Sequence, residues 1–97
     1  MREKNLENAL VRAARRRGAL ALKFVSPGCD GVPDRLLLFP GGRAAFCEVK
    51  APGRKPRPLQ KYRMAQLQNL GFPVFVLDDP VQIAGILRTM EPDLPEE

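Results

Sequence analysis

Residues 31–50 read GVPDRLLLFPGGRAAFCEVK, from Gly31 through Asp34 to Glu48 and Lys50, and this stretch decides the fold. Two runs of strand-forming residues, 33–39 and 43–50, flank Pro40-Gly41-Gly42. Proline followed by two residues free to take positive φ is turn chemistry, so the stretch predicts an antiparallel hairpin. With residues 40–42 as a three-residue loop, Phe39 pairs with Arg43. Each further pair then steps one residue outward on each arm, which sets Asp34 opposite Glu48. Directly opposed residues share a face, with Cβ atoms about 4.5–5.5 Å apart. Lys50, two residues beyond Glu48, projects to the same side. A two-residue loop would slip the register by one and take Asp34 out of line, so the inference rests on the turn.

Working outward, residues 3–17 space Leu6, Ala9, Leu10, Ala13 and Ala14 for one apolar helical face, and Gly18 stands where a left-handed cap belongs. Residues 19–25 (ALALKFV) read as a strand, broken by Ser26-Pro27-Gly28 and Gly31. Beyond the hairpin, APGRKPRP at 51–58 reads as an exposed loop carrying three cations. A helix over 59–70 stops at Gly71 and Pro73, a short strand covers 74–77, and Asp78-Asp79-Pro80 opens a last helix reaching about Met90. The acidic tail, from about residue 91 to 97, is expected to fray. The order is α-β-β-β-α-β-α, a single α/β domain over 1–97 with a mixed sheet flanked by helices.

A chain of 97 residues has room for one thin core. With 44% hydrophobic and 28% charged residues it has the composition of a folded globular domain. It holds no apolar run of membrane-spanning length and no leader-like start, so a cytoplasmic protein with no membrane partner is expected. Cys29 and Cys47 fit neither a zinc site nor a disulfide scaffold, and Cys47, inside an apolar run, reads as core. Histidine is absent, which excludes Ser-His-Asp hydrolases and His-ligated metal enzymes and leaves carboxylates, lysine and a metal ion for any chemistry. Charge is uneven. Residues 1–63 hold 15 Lys/Arg against 5 Asp/Glu, while 64–97 hold 1 against 6. Such a basic excess points to a polyanion such as nucleic acid, with a plain solvated surface as the alternative.

Two opposed carboxylates repel unless a cation lies between them, and oxygen ligands of this kind suit Mg²⁺ or Mn²⁺. Phosphodiester hydrolysis needs such a cation to polarise the phosphate, a water as nucleophile and a positive group to orient that water. Asp34, Glu48 and Lys50 supply these parts. Taken alone, the three residues fit a cross-strand surface ion cluster equally well.

Gly31-Val32-Pro33-Asp34 followed after thirteen residues by Glu48-Val49-Lys50 resembles the PD-(D/E)XK nuclease motif. With the loop APGRKPRPLQ and Gln60, the chain is similar more narrowly to the VRR-NUC branch, including its small stand-alone phage and bacterial members. The likeness runs from about Glu7 to Leu77. It implies a restriction-endonuclease-like fold and a Mg²⁺-dependent endonuclease in which Mn²⁺ substitutes. Asp34, Glu48 and the backbone carbonyl of Val49 would be metal ligands, Lys50 would position the attacking water, and Gln60 would support them from the second helix. The resemblance also calls for a first-helix carboxylate. Glu7 is the choice, by a spacing to Gly18 similar to archaeal Holliday-junction resolvases, with Glu3 one turn earlier as the alternative. Lys23 and Ser26 match positions that touch the nucleic-acid backbone in those resolvases.

Arg54, Lys55 and Arg57, with Lys61 and Arg63 beyond, are placed to grip phosphates from a proline-stiffened loop. Few aromatics are present, so backbone or shape recognition is favoured over base stacking. The small members the chain resembles are dimers that cut branched DNA, and a thin core independently favours dimerisation. The expectation is a homodimeric, structure-selective DNA endonuclease of Holliday-junction-resolvase type without a small-molecule cofactor. A basic nucleic-acid-binding module that keeps the fold without cutting is the alternative. A carboxylate cluster like that of RNase H would need more acids than the basic segment offers.

Overall fold

The computed structural model describes residues 1–91 and contains helix α1 (Glu3–Arg16), strands β1 (Leu20–Lys23), β2 (Arg35–Phe39) and β3 (Arg43–Val49), helix α2 (Pro58–Asn69), strand β4 (Val74–Leu77), a 3₁₀ turn (Pro80–Gln82) and helix α3 (Ile83–Met90). Element type and order match the sequence expectation throughout. The fraying expected of the acidic tail falls on residues 92–97, outside the described residues. The first strand is shorter than expected because the chain past Lys23 leaves the sheet for the loop that carries Gly28 and Gly31 at positive φ. The last helix divides because Asp79 caps the N–H of Val81 and Pro80 opens a tight turn before α3.

The four strands lie in the order β1-β2-β3-β4. β1/β2 and β2/β3 are antiparallel, and β3/β4 is parallel, reached through the α2 crossover. The hairpin register is the one the three-residue turn demands: Phe39 pairs with Arg43 and Arg35 with Cys47. Gly41 and Gly42 take φ of 86° and 76°, the left-handed region that a side-chain-bearing residue avoids.

The core lies on one face of the sheet. Leu6, Leu10 and Ala14 of α1 and Ile83, Ile86, Leu87 and Met90 of α3 close over Ala21, Leu37, Phe39, Ala45, Cys47, Val49 and Leu77. Each buried Leu or Ile there contributes about 1.5–3 kcal/mol relative to exposure. The opposite face is only partly covered. Gln60 and Met64, one turn apart, are the buried residues of α2, and Phe46 stacks between Phe24 and Phe72 at centroid distances of 5.4 and 5.5 Å. Beyond them Leu20 and Leu22 remain 49% and 44% exposed. Among the described residues no helix is long and apolar enough to cross a membrane.

Candidate active site

The loop leading into β2 is held against α2 at Gly31. Its φ is 87°, and a Cβ there would stand 2.8 Å from Leu59 Cγ and 3.2 Å from the Leu59 carbonyl oxygen. Arg63 of α2 fastens the same place, its Nε donating to the Asp30 carbonyl at 2.8 Å. Buried Pro33 follows, and the chain delivers Asp34 one residue before β2 begins. Asp34 therefore lies one step beyond the Arg35–Cys47 pair, opposite Glu48.

The two acids are cross-tied. The Asp34 backbone N–H donates to Glu48 Oε1 at 3.2 Å, and the Val49 N–H donates to Asp34 Oδ2 at 3.1 Å. Glu48 Oε2 accepts from Gln60 Nε2 at 2.6 Å and meets Lys50 Nζ at 3.1 Å. Gln60 is itself fixed, its Oε1 accepting from the Arg57 N–H at 2.8 Å across the first turn of α2. Sheet and helix thus converge on one carboxylate that is 1% exposed. Burial pushes the Glu48 carboxyl above its ordinary range, the Asp34 charge pushes it further, and Lys50 only partly offsets them. An anion held at such a cost is the arrangement a cation relieves.

Asp34, Glu48, Lys50 and Gln60 are accordingly brought together as the sequence predicts. Val49 contributes its N–H to the Asp34 carboxylate, and a ligand role for its carbonyl rests on the resemblance alone. The first-helix acids part company. Glu7 Oε1 lies 3.6 Å from Arg35 Nε, whereas Glu3 lines a cleft of about 350 Å³ together with Lys50, Ala51, Arg54, Lys55 and Arg57. Among the described residues no three His, Cys, Asp or Glu cluster as a ready metal cage. Two opposed carboxylates are oxygen ligands of the kind Mg²⁺ takes, and that ion completes its shell with waters and phosphate oxygens.

Arg54, Lys55 and Arg57 stand together at the cleft beside Lys50, while Lys61 is exposed on α2. Lys23 is exposed on β1 and Ser26 half-buried in the following loop. Arg63 is engaged within the protein: besides the Asp30 carbonyl it donates through NH1 to Gln66 Oε1 at 3.0 Å. Cys47 is core as expected, and burial, reinforced by Asp34 and Glu48, raises its thiol pKa to about 12. Sequence reasoning missed Arg35 as a site neighbour and Arg63 as a brace. Arg35 stands out in hindsight as the one charge within the apolar run RLLLF.

No protein-family model matches the chain. It is 51% identical over 78 residues to "Putative nuclease p44" of Acyrthosiphon pisum secondary endosymbiont phage 1, covering 80% of this chain and 84% of that protein. A solved structure described as "VRR_NUC domain" superposes with a TM-score of 0.86 at 26% identity, over 94% of this chain and 99% of the other. With the acid pair, lysine and glutamine at the positions the motif requires, this chain belongs to the VRR-NUC family of PD-(D/E)XK nucleases.

Proposed function

We propose that the protein is a metal-dependent, structure-selective DNA endonuclease that works in the cytoplasm as a homodimer and hydrolyses phosphodiester bonds in branched DNA such as Holliday junctions. The observation that carries the hydrolytic reading is the single sheet face on which Asp34 and buried Glu48 oppose each other with Lys50 Nζ 3.1 Å from Glu48. Asp34 and Glu48, with the Val49 carbonyl, would hold Mg²⁺ or Mn²⁺, which supplies Lewis-acid polarisation of the phosphate when bound. Lys50 orients the attacking water and offsets the negative charge that develops as a P–O bond forms and the leaving oxygen departs. Gln60 holds the Glu48 carboxylate in place, so Lys50 and the metal ligands stay in register. Arg54, Lys55 and Arg57 anchor the phosphates flanking the cut, and Lys23, Ser26 and Lys61 extend the contact along the backbone.

The sheet's half-bare face supports the homodimer. Leu22, Leu36, Phe46 and Val74 are cross-strand neighbours in one row, with Leu20, Leu38 and Ala44 in the next. No charged side chain interrupts the two rows. Phe24 and Phe72 cover Phe46, and the open end at Leu20 and Leu22 is the part an isologous contact would cover. The rows continue along the same face into the Asp34–Glu48 pair, so two copies joined there would carry two sites in fixed relation. Selectivity for branched DNA follows from that pairing of sites.

The test incubates purified protein with four-way, flapped and linear DNA in Mg²⁺, Mn²⁺ or chelator. The expected result is cleavage of the four-way junction, absent with chelator and lost in Asp34→Ala while DNA binding persists. Equal turnover of linear and four-way DNA would remove the structural selectivity. Binding without cleavage under every metal condition would favour a non-cutting module.

A further inference from the structure

Arg35 is a largely enclosed cation to which the hydrolytic scheme assigns no role. It immediately follows Asp34 and pairs across the hairpin with Cys47, which immediately precedes Glu48. It therefore stands directly behind the two carboxylates, on the face of the sheet that α1 covers. Its side chain is 13% exposed, and the next residues inward on that face are Leu37 and Phe39. One guanidinium nitrogen, NH1, donates to the Ala21 carbonyl of β1 at 3.2 Å. The Nε is fully buried, has no hydrogen bond, and faces Glu7 Oε1 at 3.6 Å. Two other polar groups lie on this face beside it: the Cys47 thiol, held protonated by its high pKa, and the exposed ammonium of Lys23, its partner on β1. Glu7 is the counter-charge.

Replacing even a fully buried ion pair by apolar residues of similar volume is often neutral or stabilising, so stability alone gives weak reason for this partly buried one. Its position gives a better reason. Arg35 joins β1, through the Ala21 carbonyl, and α1, through Glu7, to the β2 residue adjacent to Asp34. We infer that Arg35 is a positioning residue that holds Asp34 opposite Glu48 from behind the sheet, and that Glu7 acts through Arg35 as its counter-ion and not on the metal ion. This rests on the nuclease reading, and it replaces the metal-ligand role that the family resemblance implies for Glu7.

The test is a double-mutant cycle on Arg35→Met, Glu7→Gln and the double variant, read first as Mn²⁺ affinity by direct titration without DNA and then as kcat and KM on junction DNA. Outer partners of metal ligands typically change metal affinity or activity 10- to 100-fold, so each single variant should weaken Mn²⁺ binding about 10-fold and lower kcat with KM for DNA unchanged. The double variant should be no worse than either single, because both remove one interaction. Arg35→Lys, which keeps the charge and loses the fork, should recover part of the loss and covers the case in which Arg35→Met does not fold. Losses that multiply in the double variant, or a Glu7→Gln loss with Arg35→Met unaffected, would return Glu7 to the metal and overturn the inference. So would a cycle in which only thermal stability moves. A wild-type protein that binds Mn²⁺ without cutting any DNA would sink the nuclease reading alone, and one that binds no Mn²⁺ would sink both.

Discussion

Glu48 makes the conflict between stability and chemistry measurable at a single residue. Its carboxyl is held above its ordinary range by burial and by Asp34. A carboxyl whose folded pKa lies above the unfolded value of 4.5 contributes stability that is fully present below pH 4.5 and is lost as pH rises through the folded pKa. The metal-free protein should therefore weaken as pH climbs through that window, and Mg²⁺, binding the ionised pair, should restore it. Glu48→Gln removes the charge at little change of shape. At pH 7 without metal it should raise Tm by roughly 2–5 °C, a gap that closes below pH 4.5, while activity is lost. Calorimetry across pH checks this, and a variant less stable than wild type at pH 7 contradicts it. Asp34→Ala and Lys50→Ala should each reduce cleavage by about 10³-fold in a gel assay. Alkylation of the folded protein should label half-buried Cys29 and spare Cys47, whose thiol stays protonated and enclosed.

At the scale of elements, the site depends on two attachments between α2 and the strands. One is the Gln60–Glu48 hydrogen bond and the other is the close approach of the lead-in loop at Gly31. Gly31→Ala adds a Cβ into Leu59 and forces a φ that alanine avoids, so it should cost about 1–3 kcal/mol. Gly28→Ala shares the backbone strain with nothing within 4 Å of the added carbon and should cost less. Urea unfolding of the pair separates the collision from the strain. On the proposed reading, the basic loop between β3 and α2 bears on affinity rather than on chemistry. Arg54→Ala with Lys55→Ala should weaken DNA binding, lower the slope of log affinity against log salt by about 2, and leave kcat at saturating DNA nearly unchanged. An unaltered slope would place the DNA elsewhere on the surface.

For the whole molecule, the sheet has one finished face and one half-finished face. α1 and α3 seal the first, while on the second α2 covers the β3–β4 end and leaves Leu20 and Leu22 open. Light scattering should show a dimer, and Leu22→Glu, at an exposed position that tolerates a charge in the monomer, should yield a folded monomer with impaired junction cleavage. A wild-type monomer, or a Leu22→Glu variant that remains dimeric, rules this face out.

The acid pair, the lysine and the order of elements were legible in the sequence because they follow from local rules. A Pro-Gly-Gly turn sets the hairpin register, and register together with the alternation of side chains decides which residues share a face. Gln60 could be marked from the sequence only through family resemblance, since no local rule reports which turn of α2 lies over Glu48. Three features were decided by the tertiary structure alone. Arg63 braces the Asp30 carbonyl, Glu7 turns to Arg35, and Glu3 opens onto the cleft beside Lys50. The physical reason is common to all three. Helical spacing states which residues lie on one side of a helix, but which of them reaches a given strand or loop depends on how the helix is set against the sheet, and that placement is governed by the packing of Leu6, Leu10 and Ala14 for α1 and of Gln60 and Met64 for α2.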